Sequence, residues 1–236
     1  MIQKYLYGVP FDTESVVAPI PASQGEPPVG TVKTSETGFC FACPLAEGDR
    51  VYGLGEANRG INKRGFVYLS DNVDDGLHTE SKQHLYASHN FIVMAGQETV
   101  GLFFDYPGAI RYDIGFTRQD TLTVTCDRAD LALYVITGEG PLDVVRQFRA
   151  IIGHSYIPPK FAFGFGQSRY GYKTRADFEE VVTKHRQAHI PLDMVYMDID
   201  YMDHFKDFTV NPEEFPDFAG FVAEMKEQGV RLVPII

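Results

Sequence analysis

The sequence predicts an N-terminal β-sandwich over residues 1–155, followed from residue 156 by a βαβαβ unit with a parallel sheet. Three observations lead to this prediction. Short apolar runs that alternate with polar residues recur at even spacing through the first part, as in half-buried antiparallel strands. Pro158 and Pro159 then exclude both a helix and a central strand over residues 156–160. After them, apolar runs alternate with helical patterns, as in parallel strands joined by crossover helices.

The first part contains eight predicted strands, separated by turns rich in Gly, Pro, Asp and Asn. A proline-rich surface connection precedes them at residues 19–28. Such evenly spaced short strands are typical of a β-sandwich. The predicted strands span residues 36–42, 50–54, 65–69, 90–95, 100–104, 109–114, 122–126 and 131–136.

One helix is predicted to close the first part. Pro141 suits its first position, and Gly153 follows its end. The apolar stripe between them consists of Val144, Val145, Phe148, Ile151 and Ile152.

The second part begins with a predicted buried strand at residues 161–166 and continues with a second buried strand at 192–199. Thr174 is expected to cap the helix between these strands. The apolar positions of that helix, at helical spacing, are Phe178, Val181, Val182 and His185.

A second helix is predicted after Pro216 and ends at Gly229, and a third strand covers residues 230–236. The 76 residues from 161 to 236 are fewer than the ~200 that a closed (β/α)₈ barrel needs. We therefore expect the sequence to be the N-terminal part of a longer protein, interrupted in its third parallel strand.

The composition excludes two classes of partner. The 236 residues include 21 basic and 32 acidic side chains, a formal charge of −11, and 44% are hydrophobic. This is enough apolar material for a core, whereas nucleic acid or an anionic membrane surface requires clustered Lys and Arg. No run of about 20 apolar residues predicts a membrane span, and no secretory signal is visible at the start.

The three cysteines favour a reducing compartment. They are an odd number for a disulfide framework, and Cys40 and Cys43 lack a second Cys or His pair at a spacing suited to zinc. We expect both thiols to pack as small hydrophobic groups and the protein to be cytoplasmic. The seven histidines form no metal-ligand pattern, so no metal is predicted.

Acidic residues stand at the carboxyl end of the second buried strand, in Met197-Asp198-Ile199-Asp200-Tyr201-Met202-Asp203. In parallel α/β sheets, ligands and catalytic groups lie at this carboxyl end of the strands. Asp198 and Asp200 are expected to share one strand face, where ionised oxygens suit the hydroxyl groups of a sugar. The alternative is that these acids only cap turns or the following helix.

The first strand of the second part ends at the same edge with residues 167–172, which include Tyr170. An aromatic ring there can stack on a sugar while its hydroxyl stays in water. The alternative is an edge tyrosine that covers the core.

These residues belong to a wider pattern that resembles glycoside hydrolase family 31, the α-glucosidase family. In the first part, Tyr52-Gly53-Leu54-Gly55-Glu56 and Asn62-Lys63-Arg64-Gly65 are similar to the N-terminal sandwich of that family. The similarity spans roughly residues 50–236 and is strongest to bacterial α-glucosidases of gut organisms. In the second part the matching stretches are Phe163-Gly164-Phe165, Arg169-Tyr170-Gly171-Tyr172, Ile190-Pro191-Leu192-Asp193, Asp198-Ile199-Asp200-Tyr201-Met202 and Asp207-Phe208-Thr209.

The resemblance implies a β-sandwich followed by a (β/α)₈ TIM barrel, here incomplete, and retaining hydrolysis of terminal α-glucosides of an oligosaccharide without a cofactor. It implies that Asp198 binds the outer hydroxyls of the non-reducing sugar, with Ile199 as an apolar neighbour. Tyr170 corresponds to the aromatic residue after the first barrel strand. Asp74 corresponds to an acid on a sandwich loop that reaches into the active site.

The sequence departs from the family pattern at two points. Bacterial relatives often have Trp at the position of Tyr170, and this chain has no Trp; the smaller ring is expected to change the preference among glucosidic linkages. In the family, the nucleophilic and acid/base aspartates come later in the barrel, beyond Ile236. No catalytic residue is therefore expected within these 236 residues, which we expect to be inactive by themselves.

Two alternatives remain open. A related α-galactosidase or α-xylosidase would share the fold and differ only in pocket contacts. The second alternative is a non-catalytic fragment that binds carbohydrate or takes part in assembly. Its exposed strand edges are expected to favour self-association or a homo-oligomer.

Overall fold

The structure is a computed structural model, which describes residues 1–36 and 38–236. The chain forms two compact units, Met1–His154 and Ser155–Ile236. The predicted domain boundary after residue 155 implies that residues 1–155 and 156–236 fold independently, and this stays a prediction.

The first unit is a sandwich of two antiparallel sheets. One sheet has the strand order β1-β10-β7-β6-β4 and the other β2-β3-β9-β8-β5, so the predicted β-sandwich is confirmed. In chain order the strands are β1 (Ile2–Tyr7), β2 (Thr31–Ser35), β3 (Gly38–Pro44), β4 (Arg50–Gly55), β5 (Phe66–Ser70), β6 (Ser88–Ala95), β7 (Thr99–Asp105), β8 (Ile110–Ile114), β9 (Thr121–Cys126) and β10 (Leu131–Gly138).

All eight predicted strands are present, with ends displaced by two residues or fewer. Thr37, inside the predicted strand 36–42, lies outside the described residues. Two strands, β1 and β2, were not predicted. Both are edge strands with few buried positions, so their apolar pattern is weak.

The core of the sandwich lies between the two sheets and is rich in aromatic rings. Phe104 of β7 is fully buried. Its ring meets Phe41 and Phe39 of β3 edge-on at 5.6 and 6.2 Å, and Tyr112 of β8 at 5.9 Å. Edge-to-face contacts at these distances add to the stability that burial of the rings provides.

Helix α1 (Pro141–Ile152) covers the outer face of the first sheet. Pro141 occupies its first turn and Gly153 ends it, as predicted. Phe148 stacks on Phe91 of β6 with ring centroids 3.8 Å apart. Val145, which was predicted to belong to the apolar stripe, is 39% exposed. The stripe that packs against the sheet is therefore narrower than the sequence pattern indicated.

A β-bulge interrupts the pairing of β4 with β6 between Gly53 and Gly55. Gly53 has a φ of +119°, and a Cβ atom at this position would lie 2.3 Å from the carbonyl oxygen of Phe91. Only glycine fits such a backbone and such a close approach.

Gly53→Ala is therefore expected to lower the free energy of unfolding by about 1–3 kcal/mol, the usual cost of a strained backbone. Urea denaturation followed by circular dichroism measures this change. Gly48→Ala is the matched control, since a Cβ at Gly48 meets no atom within 4 Å. Equal midpoints for the two variants would contradict the strain argument.

The second unit contains the predicted βαβαβ arrangement. Its elements are β11 (Gly166–Gln167), α2 (Arg175–Gln187), β12 (Met194–Met197), α3 (Phe218–Glu227) and β13 (Arg231–Pro234). The strands are parallel and lie in the order β11-β12-β13. Three parallel strands with two crossover helices form part of a (β/α)₈ barrel, which confirms the predicted incomplete barrel.

The predicted strand at residues 161–166 is wrong for most of its length. Lys160–Phe163 forms a 3₁₀ turn, and the Phe163 side chain is 70% exposed. The phenylalanines of this segment alternate as the buried residues of a strand do, which led to the wrong prediction. In the structure, the backbone N–H of Ala162 instead donates to the carbonyl of Pro159, and that of Phe165 donates to the carboxylate of Asp193.

Over the described ranges 1–36 and 38–236, every helix is too short or too polar to traverse a lipid bilayer.

Candidate functional site

The carboxyl ends of β11, β12 and β13 meet at one edge of the sheet in the second unit. Gln167 pairs with Val195, and Met197 pairs with Pro234, in parallel register. Residues 168–172 and 198–203 leave the sheet at this edge. Tyr170, Asp198 and Ile199 are therefore on the same edge, where parallel α/β sheets bind ligands.

The carboxylate of Asp198 is held by the backbone that follows it. Oδ1 accepts a hydrogen bond of 2.8 Å from the N–H of Ile199. The side chain is partly exposed, and Oδ2 accepts no hydrogen bond from any residue that the structure describes. Asp198 thus caps a turn, as the alternative interpretation held, and it also keeps one acceptor oxygen for a ligand.

Asp198 and Asp200 do not share a strand face, contrary to the prediction. β12 ends at Met197, and Ile199–Tyr201 is a 3₁₀ turn, so the alternation of a strand no longer applies. Asp200 lines a cavity of about 300 Å³ whose lining does not include Asp198. Its Oδ2 is buried and has no partner among the described residues. The cavity is also lined by Lys173, Met202, His204, Phe205, Asn211 and Glu214.

Tyr201 fixes the turn that carries Asp198, a role that the sequence analysis did not identify. Its ring is 4% exposed, and its hydroxyl donates to the carbonyl of Ile235 over 2.9 Å. The N–H of Ile235 donates to the carbonyl of Met197, which links the loops after β12 and β13. Burial raises the pKa of Tyr201, so the phenol stays protonated and remains a donor.

Tyr170 is 65% exposed at the carboxyl edge. The neighbouring Tyr172 is the tyrosine that covers the core: it is 8% exposed and its ring meets Phe178 edge-on at 5.6 Å. The Tyr172 hydroxyl also accepts a hydrogen bond of 3.3 Å from Gln167. The ring of Tyr170 is consequently available for stacking on a ligand.

The turn that carries Tyr170 leads into α2 through a capping box. The hydroxyl of Thr174 accepts from the N–H of Asp177, and the Asp177 carboxylate accepts from the N–H groups of Thr174 and Lys173 at 2.9 Å. The hydrogen bond from the Thr174 backbone is the largest cause that lowers the pKa of Asp177.

Asp177→Ala is expected to lower the free energy of unfolding at neutral pH by about 0.5–2 kcal/mol, the usual value of a helix cap. Because the pKa is lower in the folded state, the contribution is present above the ordinary value of 3.8 and is lost as the pH falls through the folded value. Urea denaturation at several pH values should show the gap to wild type closing in acid. A gap that stays constant, or an equal loss in the exposed control Glu180→Ala, would contradict this prediction.

Asp74 belongs to the first unit, on the loop between β5 and β6. Its side chain is exposed, and Oδ1 accepts a hydrogen bond of 2.8 Å from the hydroxyl of Tyr86. Nothing in the sequence singled out Tyr86, which is twelve residues away from Asp74. Whether Asp74 acts together with Tyr170, Asp198 and Ile199 stays a prediction.

Among residues 1–36 and 38–236, no group of three or more His, Cys, Asp or Glu side chains is arranged to hold a metal ion.

Two family models match the chain in the order that the fold requires. The model of the glycosyl hydrolase 31 N-terminal galactose mutarotase-like domain matches residues 24–113. The model of the glycosyl hydrolases family 31 TIM-barrel domain matches residues 155–236. The chain belongs to glycoside hydrolase family 31.

Curated relatives of this family 31 chain include enzymes of two named activities. Alpha-glucosidase 2 of Bacillus thermoamyloliquefaciens is 32% identical over 209 residues, which are 88% of this chain and 26% of the relative. Alpha-glucosidase of Saccharolobus solfataricus is 30% identical over 189 residues, which are 80% of this chain and 27% of the relative. Alpha-xylosidase 1 of Arabidopsis thaliana is 32% identical over 78% of this chain and 21% of its own length.

Solved structures of family 31 share the fold. A dextranase of Flavobacterium johnsoniae in complex with isomaltotriose superimposes with a TM-score of 0.79 at 23% identity, over 86% of this chain and 25% of the dextranase. The family 31 chain described here therefore spans about a quarter of the length of these relatives. What it shares with them is membership of a family of glycoside hydrolases.

The family 31 motifs of the first unit have structural roles. Asn62 Oδ1 accepts hydrogen bonds from the backbone N–H groups of Val51 and Arg64, at 3.1 and 3.2 Å. The ammonium group of Lys63, 5% exposed, donates to the carbonyl of Gly60 over 2.7 Å. Burial lowers the pKa of Lys63. These residues shape turns of the sandwich, and sequence similarity alone does not separate them from ligand-binding positions.

Proposed function

We propose that this chain is part of a retaining α-glucosidase that hydrolyses terminal α-glucosidic bonds of oligosaccharides. Within it, Asp198 would accept hydrogen bonds from hydroxyls of the terminal sugar, Ile199 would supply an apolar contact, and Tyr170 an aromatic wall. Asp74 would accept a further hydrogen bond from the substrate.

The observation that carries this proposal is the state of Asp198. Its carboxylate lies at the carboxyl end of β12, with one oxygen engaged by the Ile199 N–H and the other without a partner among the described residues. A carboxylate oriented in this way is a preorganised acceptor. The exposed ring of Tyr170 at the same edge supports a sugar as the ligand, and the α-glucosidases among the relatives support an α-glucoside.

In this proposal the catalytic carboxyls lie outside residues 1–236. Retaining hydrolysis needs a nucleophile and an acid/base about 5–5.5 Å apart. Asp198 caps the turn that follows β12 and is assigned to binding, while Asp200 lines a cavity whose lining does not include Asp198. The isolated chain is accordingly proposed to bind sugar without turnover.

The complete reading frame that contains these 236 residues tests the proposal. Its product should hydrolyse p-nitrophenyl α-glucoside and maltose faster than p-nitrophenyl α-xyloside or p-nitrophenyl α-galactoside, with retention of the anomeric configuration by NMR. The 236-residue chain should show no turnover. Preference for the xyloside or galactoside would replace α-glucosidase by the related activity, and turnover by the 236-residue chain would contradict the placement of the catalytic groups.

A cytoplasmic location is a second proposal. Its support is the state of Cys40, Cys43 and Cys126, all of which are free thiols. Disulfides are rare in reduced compartments. Fractionation of cells that express the protein, with soluble and exported marker proteins as references, tests it.

A further inference from the structure

We propose that Tyr86 is a positioning residue for Asp74, which it holds by one carboxylate oxygen so that the second oxygen faces a hydroxyl of the sugar substrate. The inference rests on the proposed function, because it takes Asp74 as a residue that binds sugar. It adds a residue that the sequence motifs did not single out.

Three contacts hold Tyr86 in place. Its backbone N–H donates to Oε2 of Glu56 over 3.1 Å. Its ring meets the ring of His78 edge-on at 5.8 Å, and its hydroxyl donates to Oδ1 of Asp74 over 2.8 Å. An exposed tyrosine that is fixed at its backbone, its ring and its hydroxyl has little rotamer freedom left.

Glu56 is itself placed by the bulge in β4. The positive φ values of Gly53 and Gly55 direct the chain out of the sheet. The N–H of Glu56 then donates over 2.7 Å to the carbonyl of Ala87, the residue that follows Tyr86 in the chain. The strained end of β4 therefore supports the tyrosine that supports Asp74.

The loop that carries Asp74 is closed by further links between its two limbs. Asp75 pairs with Lys82. The N–H of Val73 donates to the carbonyl of Leu85 over 3.0 Å, and Asn72 accepts from the N–H of Ser88 over 2.7 Å. These links keep the backbone on both sides of Asp74 in a defined course, so the Tyr86 hydroxyl needs to fix only the side chain.

The carboxylate of Asp74 has capacity left for a ligand. Only Oδ1 takes part in a hydrogen bond with the described residues, whereas an ionised carboxylate can accept about four. The side chain is exposed, so a sugar hydroxyl can reach Oδ2. Holding the acceptor in place before binding reduces the entropy that binding costs.

The contact is tested first in the 236-residue chain, by NMR titration of tyrosines labelled at Cζ. Thirteen tyrosines are present, and the resonance that Tyr86→Phe removes identifies Tyr86. The hydrogen bond to Asp74 is the largest cause that raises the pKa of Tyr86, so its titration midpoint should fall in Asp74→Asn. Glu80→Gln, which removes an exposed acid of the same loop, is the matched control and should leave the midpoint in place.

The positioning role is tested in the product of the complete reading frame. Tyr86→Phe keeps the ring and removes only the hydroxyl, and it should raise KM for maltose about threefold to tenfold, the range expected for one lost hydrogen bond, with kcat nearly unchanged. Asp74→Ala should raise KM at least as much, and the double variant should match Asp74→Ala. Tyr156→Phe, at a position 81% exposed, is the control.

Three results would overturn the inference: a Tyr86 midpoint that Asp74→Asn does not move, an unchanged KM in Tyr86→Phe, or KM effects that add in the double variant. If the wild-type product hydrolyses no glycoside, the proposed function fails and the kinetic role fails with it. An unmoved titration midpoint alongside normal hydrolysis removes only the role of Tyr86.

Discussion

Asp198→Asn in the product of the complete reading frame is expected to lower kcat/KM for terminal α-glucosides by about 10²–10⁴-fold. A hydrogen bond to a charged group contributes about 1.5–3 kcal/mol, and Asp198 is proposed to accept two from the sugar. Each 1.4 kcal/mol corresponds to about a tenfold change. Asparagine keeps an oxygen for the N–H of Ile199, so the turn should persist. Steady-state kinetics on p-nitrophenyl α-glucoside measure the loss.

The matched control is Asp217→Asn. Asp217 also accepts a hydrogen bond from a backbone N–H, that of Gly220 at 3.0 Å, where it caps α3. This variant removes the same charge by the same chemical change, at a carboxylate that is not proposed to contact the sugar, and should retain kcat/KM within about twofold. A similar loss in both variants, or none in Asp198→Asn, would remove Asp198 from the sugar-binding site.

The largest expected effect on stability is that of Phe104→Ala. Removing a buried phenylalanine from a packed core costs about 3–5 kcal/mol, because transfer free energy is lost and a cavity remains. Phe104 is fully buried, and three aromatic rings meet it edge-on. A cost of this size is a large fraction of the stability of a typical domain, about 5–15 kcal/mol. Urea denaturation followed by near-ultraviolet circular dichroism measures it.

Phe116→Ala is the control for this variant, since the ring of Phe116 is 64% exposed. It should change the free energy of unfolding by no more than about 0.5 kcal/mol. If Phe104→Ala cost as little, Phe104 would not be packed between the two sheets as described.

Eight strands of the sandwich, the six inner strands and the edge strands β4 and β5, were predictable because their alternation of apolar and polar residues records burial on one face. The strands β1 and β2 were not, because an edge strand is largely exposed and needs fewer apolar residues. The error at residues 161–166 has the opposite cause. Phenylalanines alternate there, yet hydrogen bonds to Pro159 and Asp193 hold the segment in turns.

The prediction that Asp198 and Asp200 share a face failed because it extended the strand beyond Met197. A 3₁₀ turn has three residues per turn instead of the two-residue repeat of a strand. Asp200 therefore lines a cavity whose lining does not include Asp198. Nothing in the spacing of the two acids reveals where the strand ends.

The order of strands and helices, and the positions of Tyr170 and Asp198 after two successive parallel strands, follow from the sequence, because burial and turn residues leave a local pattern. Tertiary structure alone determines that Tyr86 reaches Asp74 and that Tyr201 reaches Ile235. Those two contacts join residues twelve and thirty-four positions apart. They depend on where strands place the ends of loops, which no local pattern records.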